Sequence, residues 1–103
     1  MPFKVQWSAQ VENYIRGKAP EPRQALWGAI KKLAAWDGRE NPPHIVHLED
    51  DLSGYSRVQI KGERVIFREA FENGIRVINC LHAGPRKTVY ETFRELFLDD
   101  LAG

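Results

Sequence analysis

Basic side chains in the second half of the sequence are of the types that bind and stabilise a phosphate group. Arg57 and Arg64 fall in two consecutive segments rich in β-branched residues, and Arg86 stands four residues before Tyr90, between an apparent strand and an apparent helix. Arginine keeps its charge and binds phosphate oxygens through two N–H groups at once. A tyrosine can stack on a base or move a proton. These residues predict a phosphate-handling site; the alternative is that they only solvate the strand and the helix entry.

The pairing of two predicted strands places several cations on one face of a sheet. With Lys61-Gly62 as a two-residue turn, Val58 lies opposite Val65, and directly opposed residues share a face. One face carries Val58, Ile60, Val65 and Phe67; the other, which we call the basic face, carries Tyr55, Arg57, Gln59, Arg64 and Arg68, with only Ile66 among them. We expect the first face to cover helices and the basic face to present three guanidinium groups to solvent or to a ligand. A sheet that merely solvates its outer face is the alternative.

His82 joins the basic face or leaves it according to the turn that precedes its strand. A three-residue turn, Glu72 to Gly74, sets His82 opposite Arg64 on the basic face, whereas a two-residue turn at Asn73 and Gly74 moves it to the other side. The sequence permits both turns. His82 is therefore a conditional candidate for proton transfer, against the commoner role of a strand-end histidine as a hydrogen-bonding residue.

The elements that would position these residues form an α+β pattern. Alternation predicts strands over Phe3–Trp7, Tyr55–Ile60, Arg64–Ala70 and Ile75–Leu81, and helical spacing predicts helices from Ser8 onward, from Pro22 to Trp36 and from Glu91 to Leu101. This order predicts an antiparallel sheet, made of the N-terminal strand and a three-stranded meander. Two N-terminal helices are expected to pack on one face, and a short C-terminal helix to dock on an apolar surface.

Length and composition predict one small domain over residues 1–103. The 103 residues contain no apolar run long enough for a bilayer and no signal-like N-terminus, so we expect a soluble, cytoplasmic protein without a membrane role. The single Cys80 excludes an internal disulfide, and no His, Cys and carboxylate cluster has ligand spacing, so we expect no metal and no cofactor. Residues 55–90 carry seven Lys/Arg and three Asp/Glu, which suits a phosphate backbone or an acidic partner protein.

The motifs of the second half resemble those of one family. The stretch LSGYSRVQIKGERVIF, Leu52 to Phe67, is followed by a hydrophobic strand and by PRKTVY. It resembles the RelE/ParE superfamily of bacterial type II toxins, whose usual pattern is Leu-x-Gly, an arginine-bearing strand, a Gly turn, Arg-Val-Ile-Tyr and finally Arg-x-x-x-Tyr. The preceding strand and two helices match that fold in order and length, so the resemblance covers essentially the whole chain.

The resemblance implies an endoribonuclease that cleaves messenger RNA, in many members only in the ribosomal decoding site (the A site), by attack of the RNA's 2′-hydroxyl on the neighbouring phosphate. It also implies an antitoxin, encoded by the adjacent gene, that covers or distorts the basic face. The residues carried over as catalytic are Arg57, Arg64, Arg86 and Tyr90, with His82, Lys61 or Tyr90 for proton transfer and with Arg68, Lys87 and Gln59 as RNA phosphate contacts.

Two departures from the family pattern keep other functions open. Gln59 replaces the second arginine of the usual Arg-x-Arg pair, and Phe67 stands where tyrosine is usual. The superfamily also contains ParE-like members that inhibit DNA gyrase and cleave no RNA. The alternatives are therefore a gyrase inhibitor, or an inactive toxin-like domain that only binds its antitoxin.

Overall fold

A five-stranded sheet carries helices on both of its faces in the computed structural model, which describes residues 3–36 and 44–98. The strands are β1 (Phe3–Trp7), β2 (Ile45–His47), β3 (Ser56–Ile60), β4 (Glu63–Glu72) and β5 (Ile75–Pro85), and the helices are α1 (Ala9–Arg16), α2 (Pro20–Leu33) and α3 (Val89–Phe93). A 3₁₀ turn at Asp50–Leu52 precedes β3, and a π-helical turn at Arg94–Leu98 continues α3. The order across the sheet is β1-β5-β4-β3-β2. The predicted α+β class is confirmed.

The N-terminal strand runs parallel to β5, while the other neighbouring pairs of the described sheet are antiparallel. The meander of β3, β4 and β5 follows the prediction, including the pairing of Val58 with Val65. The sequence predicts that the N-terminal strand joins an antiparallel sheet, and the parallel pairing of β1 with β5 corrects this part of the prediction. The pairing joins segments as remote as Phe3 and Arg76, and no local pattern indicates its direction. Strand β2 was missed because three residues are too few for an alternation to be recognised.

The helix boundaries differ from the prediction at their ends. Helix α2 begins at Pro20, where the missing proline N–H is not needed, and it ends at Leu33, before Trp36. Helix α3 begins at Val89. The predicted end of the C-terminal helix, Leu101, lies outside the described residues.

Helices α1 and α2 cover the face of the sheet that the pattern predicts to be apolar. Ser8 caps α1 by accepting the N–H of Val11 at 3.2 Å, and its hydroxyl donates to the carbonyl of Leu81 at 2.9 Å. The main core cluster between these layers is made of Val11, Ile15, Leu26, Ile30, Leu33, Ile45, Val58, Val65, Phe67, Ile78, Cys80 and Ala83. Fully burying a valine, leucine, isoleucine or phenylalanine side chain contributes about 1.5–3 kcal/mol. This face buries more such side chains than the other face does.

The basic face is covered in its middle by a second apolar cluster. Its buried members are Leu52, Ile66, Val89 and Phe93, with Leu48, Tyr55, Leu81, Tyr90 and Phe97 packed against them. The sequence predicts that the C-terminal helix docks on an apolar surface, and that surface is the basic face itself. The expectation that this face lies open to solvent is therefore wrong over its centre, because α3 returns across it.

A β-bulge decides where His82 lies. The second hairpin has the two-residue turn, with Glu72 opposite Ile75 and with Asn73 and Gly74 both at positive φ (54° and 77°). The pairing then shifts by one residue, so that Phe67 is opposite Cys80 but Ile66 is opposite His82. The expectation that a two-residue turn would move His82 off the basic face is wrong, because the extra residue reverses the alternation.

Candidate phosphate-binding site at the end of the sheet

The exit of β5 is held against the turn between β3 and β4. The backbone N–H of Arg86 donates to the carbonyl of Gly62 at 2.9 Å, which brings Arg86 and Lys61 to the same end of the sheet. Both side chains are exposed. Lys61 has φ 54°, a left-handed conformation that is uncommon outside glycine. Two cations are therefore available to a ligand at this end.

The buried side chain of Arg64 stabilises the turn between β3 and β4. Its side chain is buried, at 4% exposure, and its Nη1 donates to the carbonyls of Lys61 at 2.7 Å and Glu63 at 2.9 Å. Its Nε is buried and has no hydrogen-bond partner among the described residues. The expectation that Arg64 presents its guanidinium group to solvent is wrong, because the strand ends at a tight turn whose carbonyls accept its N–H groups. Its charge remains close beneath the surface that carries Lys61.

Arg57 and Tyr90 form a direct contact between β3 and α3. The Nη1 of Arg57 donates to the phenol oxygen of Tyr90 at 2.8 Å, and both residues are half-buried. Because the phenol oxygen accepts from Arg57, the phenol proton is free to be donated to another group. The contact also holds α3 at a fixed distance from the sheet. The structure thus brings together two of the residues that the sequence analysis selected.

The predicted RNA contacts Arg68, Lys87 and Gln59 occupy different surroundings. Lys87 is exposed and follows Arg86 in the chain, so it belongs to the same end of the sheet. Gln59 is half-buried and pairs with Arg64 across the ladder. Arg68 is exposed, but five residues of extended strand place it about 17 Å from the Glu63 end of β4. Arg68 therefore lies apart from the cations at the turn.

His82 lies beneath the C-terminal segment. It is 3% exposed, and its ring centroid is 6.2 Å from that of Phe93 and 6.4 Å from that of Phe97. Burial lowers the pKa of His82, so the ring is neutral at pH 7, and its Nδ1 has no hydrogen-bond partner in the described part of the chain. Of the three candidates for proton transfer, Lys61 and Tyr90 reach the surface and His82 does not.

Solved structures with the same architecture come from bacterial and archaeal toxins. A chain of the toxin-antitoxin complex RelBE2 from Mycobacterium tuberculosis superposes with a TM-score of 0.62 at 17% identity, covering 84% of this chain and 93% of that one. A chain of the archaeal RelE-RelB complex from Pyrococcus horikoshii gives 0.62 at 18% identity, covering 84% and 97%. The YoeB/ParE toxin from Agrobacterium tumefaciens gives 0.61 at 14% identity, covering 81% and 98%.

This chain has the RelE/ParE fold. The sequence resemblance is confirmed at that level, through structures that share under a fifth of their residues with it. No family model matches the sequence, and no curated protein matches it. The shared fold shows a common architecture and no more, because one fold can carry many different functions.

Within the RelE/ParE fold of this chain, a polar cluster that the sequence did not indicate ties α1 to the β3–β4 turn. The carboxylate of Glu63 accepts from the hydroxyl of Tyr14 and from the ammonium group of Lys18, the latter at 2.6 Å. Burial opposes the charged form of Glu63, but the hydrogen bonds from Lys18 and Tyr14 outweigh it and lower the pKa of Glu63. The cluster was missed because its members lie 45 and 49 residues apart in sequence.

Replacing Glu63 by glutamine is expected to lower the free energy of unfolding by about 1–2 kcal/mol at pH 7, because a partly buried charged hydrogen bond is lost. The folded pKa of Glu63 lies below its ordinary value of 4.5. Its contribution is therefore complete above that value and disappears as the pH falls through the folded pKa. Urea denaturation should show a difference between wild type and Glu63→Gln that is constant above pH 4.5 and shrinks as the pH falls below that value.

The matched control is Glu12→Gln, which removes an exposed ion pair with Arg16 at 3.4 Å. Exposed pairs of this kind contribute about 0.5 kcal/mol or less. If Glu63→Gln destabilises the protein no more than Glu12→Gln does, the Glu63 cluster does not hold the turn.

The described residues hold no group of three or more His, Cys, Asp or Glu side chains arranged to bind a metal ion. Among the same residues, no helix is long and apolar enough to cross a membrane. Cys80 is buried, and desolvation raises the pKa of its thiol to about 12, so it remains protonated and behaves as a core residue.

Proposed function

We propose that this protein is the toxin of a toxin–antitoxin pair and that it cleaves messenger RNA without a metal ion, in the ribosomal A site. The contact between Arg57 and Tyr90 carries the proposal, because it supplies a cation and a phenol proton on the face of the sheet that α3 covers. The exposed Arg86 follows the same strand end that leads into α3. The shared fold with RelE and YoeB/ParE toxins supports the same conclusion.

The reaction is an in-line attack within the RNA. The 2′-hydroxyl loses its proton as its oxygen bonds to phosphorus, the bond from phosphorus to the 5′ oxygen breaks, and that oxygen takes up a proton. The products are a cyclic phosphate and a free 5′-hydroxyl. The reaction as written requires no cofactor. The groups that lower the barrier are those that stabilise the extra negative charge on phosphorus oxygens and those that move the two protons.

The residues of the site divide between these two tasks. Arg86 binds the phosphate oxygens, because it is exposed and has no polar side-chain partner in the described structure. Tyr90 gives its proton to the departing 5′ oxygen and is oriented by Arg57. Lys61 is the second surface group able to transfer a proton. Arg64 acts through the turn that carries Lys61, since its N–H groups already bind the turn carbonyls.

The partner that would restrain such a toxin is an antitoxin encoded by the adjacent gene. Two of the similar structures are toxin-antitoxin complexes, which supports this assignment. The antitoxin is expected to place acidic side chains against Arg57 on the basic face and against Arg86 beyond the end of β5, because a carboxylate would neutralise these cations. Action on ribosome-bound message would also set the protein in the cytoplasm.

Inhibition of DNA gyrase is the second candidate. Two observations favour it over cleavage: Gln59 stands where a second arginine would add charge, and the guanidinium group of Arg64 is committed to the turn. Both reduce the number of cations that a scissile phosphate could meet. A toxin-like domain that only binds its antitoxin is the remaining alternative.

The test adds purified protein, separated from its antitoxin, to a translating extract. Cleaved message with 5′-hydroxyl ends, mapped by primer extension, is the expected result. Intact message together with blocked supercoiling by purified gyrase would favour the second candidate. If message and gyrase are both unaffected while the adjacent gene's product binds tightly, the protein is a binding domain and the nuclease proposal fails.

A further inference from the structure

A groove on the side of the sheet that α1 and α2 cover has the features of a docking site for a protein segment. It encloses about 480 Å³ between the end of β1 and the outer side of α2. Trp7 is 46% exposed there, and its ring meets that of Trp27 edge to face at a centroid distance of 5.0 Å. The residues that line the groove are Trp7, Arg23, Gln24, Trp27, Gly28 and Lys31.

Gly28 is an unusual residue for the floor of this groove. It lies inside α2, where glycine is less favourable than alanine by about 1 kcal/mol. A Cβ added at Gly28 would meet nothing within 4 Å among the described residues, so their packing does not account for the absence of a side chain. The glycine leaves space for a side chain that arrives from outside.

The cations of the groove are arranged for carboxylates. The Nη2 of Arg23 donates to the carbonyl of Lys18 at 2.9 Å, which fixes the guanidinium group, while its Nε is buried and has no hydrogen-bond partner among the described residues. Lys31 is exposed on the next turns of the same helix. A guanidinium group that is already held in place loses less conformational freedom when it binds. An aromatic cleft flanked by two cations is complementary to an aliphatic side chain with acidic neighbours.

We propose that this groove binds a segment of the antitoxin in which an aliphatic side chain, packed over Gly28 against the exposed surfaces of the paired Trp7 and Trp27 rings, is flanked by carboxylates that reach Arg23 and Lys31. The proposal rests on the proposed function for the identity of the partner. RNA fits the groove less well, because an edge-to-face tryptophan pair leaves a cleft instead of a flat stacking surface. The groove also lies on the face that α2 covers, opposite the face that carries Arg57 and Tyr90.

A segment in this groove does not touch the contact between Arg57 and Tyr90 on the other face. It would hold the antitoxin on the toxin while a different segment covers the cations. Substitutions in the groove should then weaken the complex without changing the cleavage rate of the free toxin.

The experiment measures binding of the adjacent gene's product to the full chain by isothermal titration calorimetry. Gly28→Leu, which fills the floor, is expected to raise Kd by about 30-fold or more, and Arg23→Gln or Lys31→Ala by about 3- to 10-fold with a weaker dependence on salt. Controls are Ala25→Leu, exposed on α2 outside the groove, and Lys4→Ala, exposed on β1. Gly28→Ala should raise the melting temperature, which separates groove filling from misfolding.

Weaker binding by the groove variants, with unchanged cleavage and unchanged controls, supports the proposal. Binding that every groove variant retains overturns the docking site and leaves the antitoxin assignment intact. Loss of message cleavage with unchanged protein binding would mean that RNA occupies the groove, and this also overturns it. If the adjacent gene's product does not bind the wild type, the antitoxin assignment fails and the docking site fails with it.

Discussion

Replacing Arg86 by alanine is expected to slow message cleavage by about 10²- to 10³-fold, the range found when one preorganised donor to a developing oxyanion is removed. Arg86 is exposed, its backbone is fixed by the bond to Gly62, and its guanidinium group is free of polar partners in the described structure. No hydrogen bond or ion pair among the described residues uses its side chain. The loss should therefore appear in the rate of cleavage under single-turnover conditions, with the melting temperature unchanged.

Lys87→Ala is the matched control, because Lys87 is the next residue and is equally exposed. Removing one surface charge there should reduce binding to RNA by only a few fold, through weaker phosphate contact at low salt. A rate for Arg86→Ala that equals the rate for Lys87→Ala would mean that Arg86 contributes only net charge. In that case Arg86 would not be the phosphate ligand of the site.

The register of β3 and β4 could be predicted because it depends on two local features, the turn between the strands and the alternation of apolar residues along them. Lys61-Gly62 permits a two-residue turn, and the alternation of apolar residues then leaves one pairing that gathers Val58, Val65 and Phe67 on one face. The parallel pairing of β1 with β5 and the bulge beside Ile66 could not be predicted in the same way. They depend on contacts between remote segments, which a strand pattern does not contain.

The candidate site could be predicted as a set of residues but not as a geometry. The spacing of Arg86 and Tyr90 and the resemblance select them, and the structure adds that the partner of Tyr90 is Arg57. The alternation assigns Arg64 to the basic face, yet it does not reveal that the turn carbonyls bury and hold its side chain. Face assignment and exposure are separate properties at a strand end, because a turn or a helix can cover what the pleat turns outward.

The covering of the basic face by α3 connects the stability of the fold to the site. Tyr90 is held by Arg57 at its hydroxyl and packs against the second apolar cluster, whose largest fully buried member is Phe93. Phe93 has no exposed surface, and its ring lies 5.0 Å from that of Tyr55 and 4.6 Å from that of Phe97. The same packing that fixes α3 therefore fixes the position of the phenol.

Phe93→Ala is expected to lower the free energy of unfolding by about 3–5 kcal/mol, because it removes a fully buried ring and leaves a cavity between the sheet and the C-terminal segment. That is a large part of the roughly 5–15 kcal/mol that a small domain has. Leu96→Ala is the control on the same segment, since Leu96 is 51% exposed and should change stability by about 0.5 kcal/mol or less. Urea denaturation followed by tryptophan fluorescence measures both.

The functional effect of Phe93→Ala distinguishes packing from chemistry. In conditions where the variant remains folded, α3 is less firmly seated, so the phenol of Tyr90 samples positions away from Arg57 and cleavage slows beyond the loss of folded protein. Tyr90→Phe removes the proton and the hydrogen bond from Arg57 but leaves the packing of the ring, so it should slow cleavage with a loss of stability of about 1–2 kcal/mol, less than that of Phe93→Ala. If Phe93→Ala cleaves at the wild-type rate per folded molecule, the C-terminal segment stabilises the sheet without positioning Tyr90, and Arg57 alone holds the phenol.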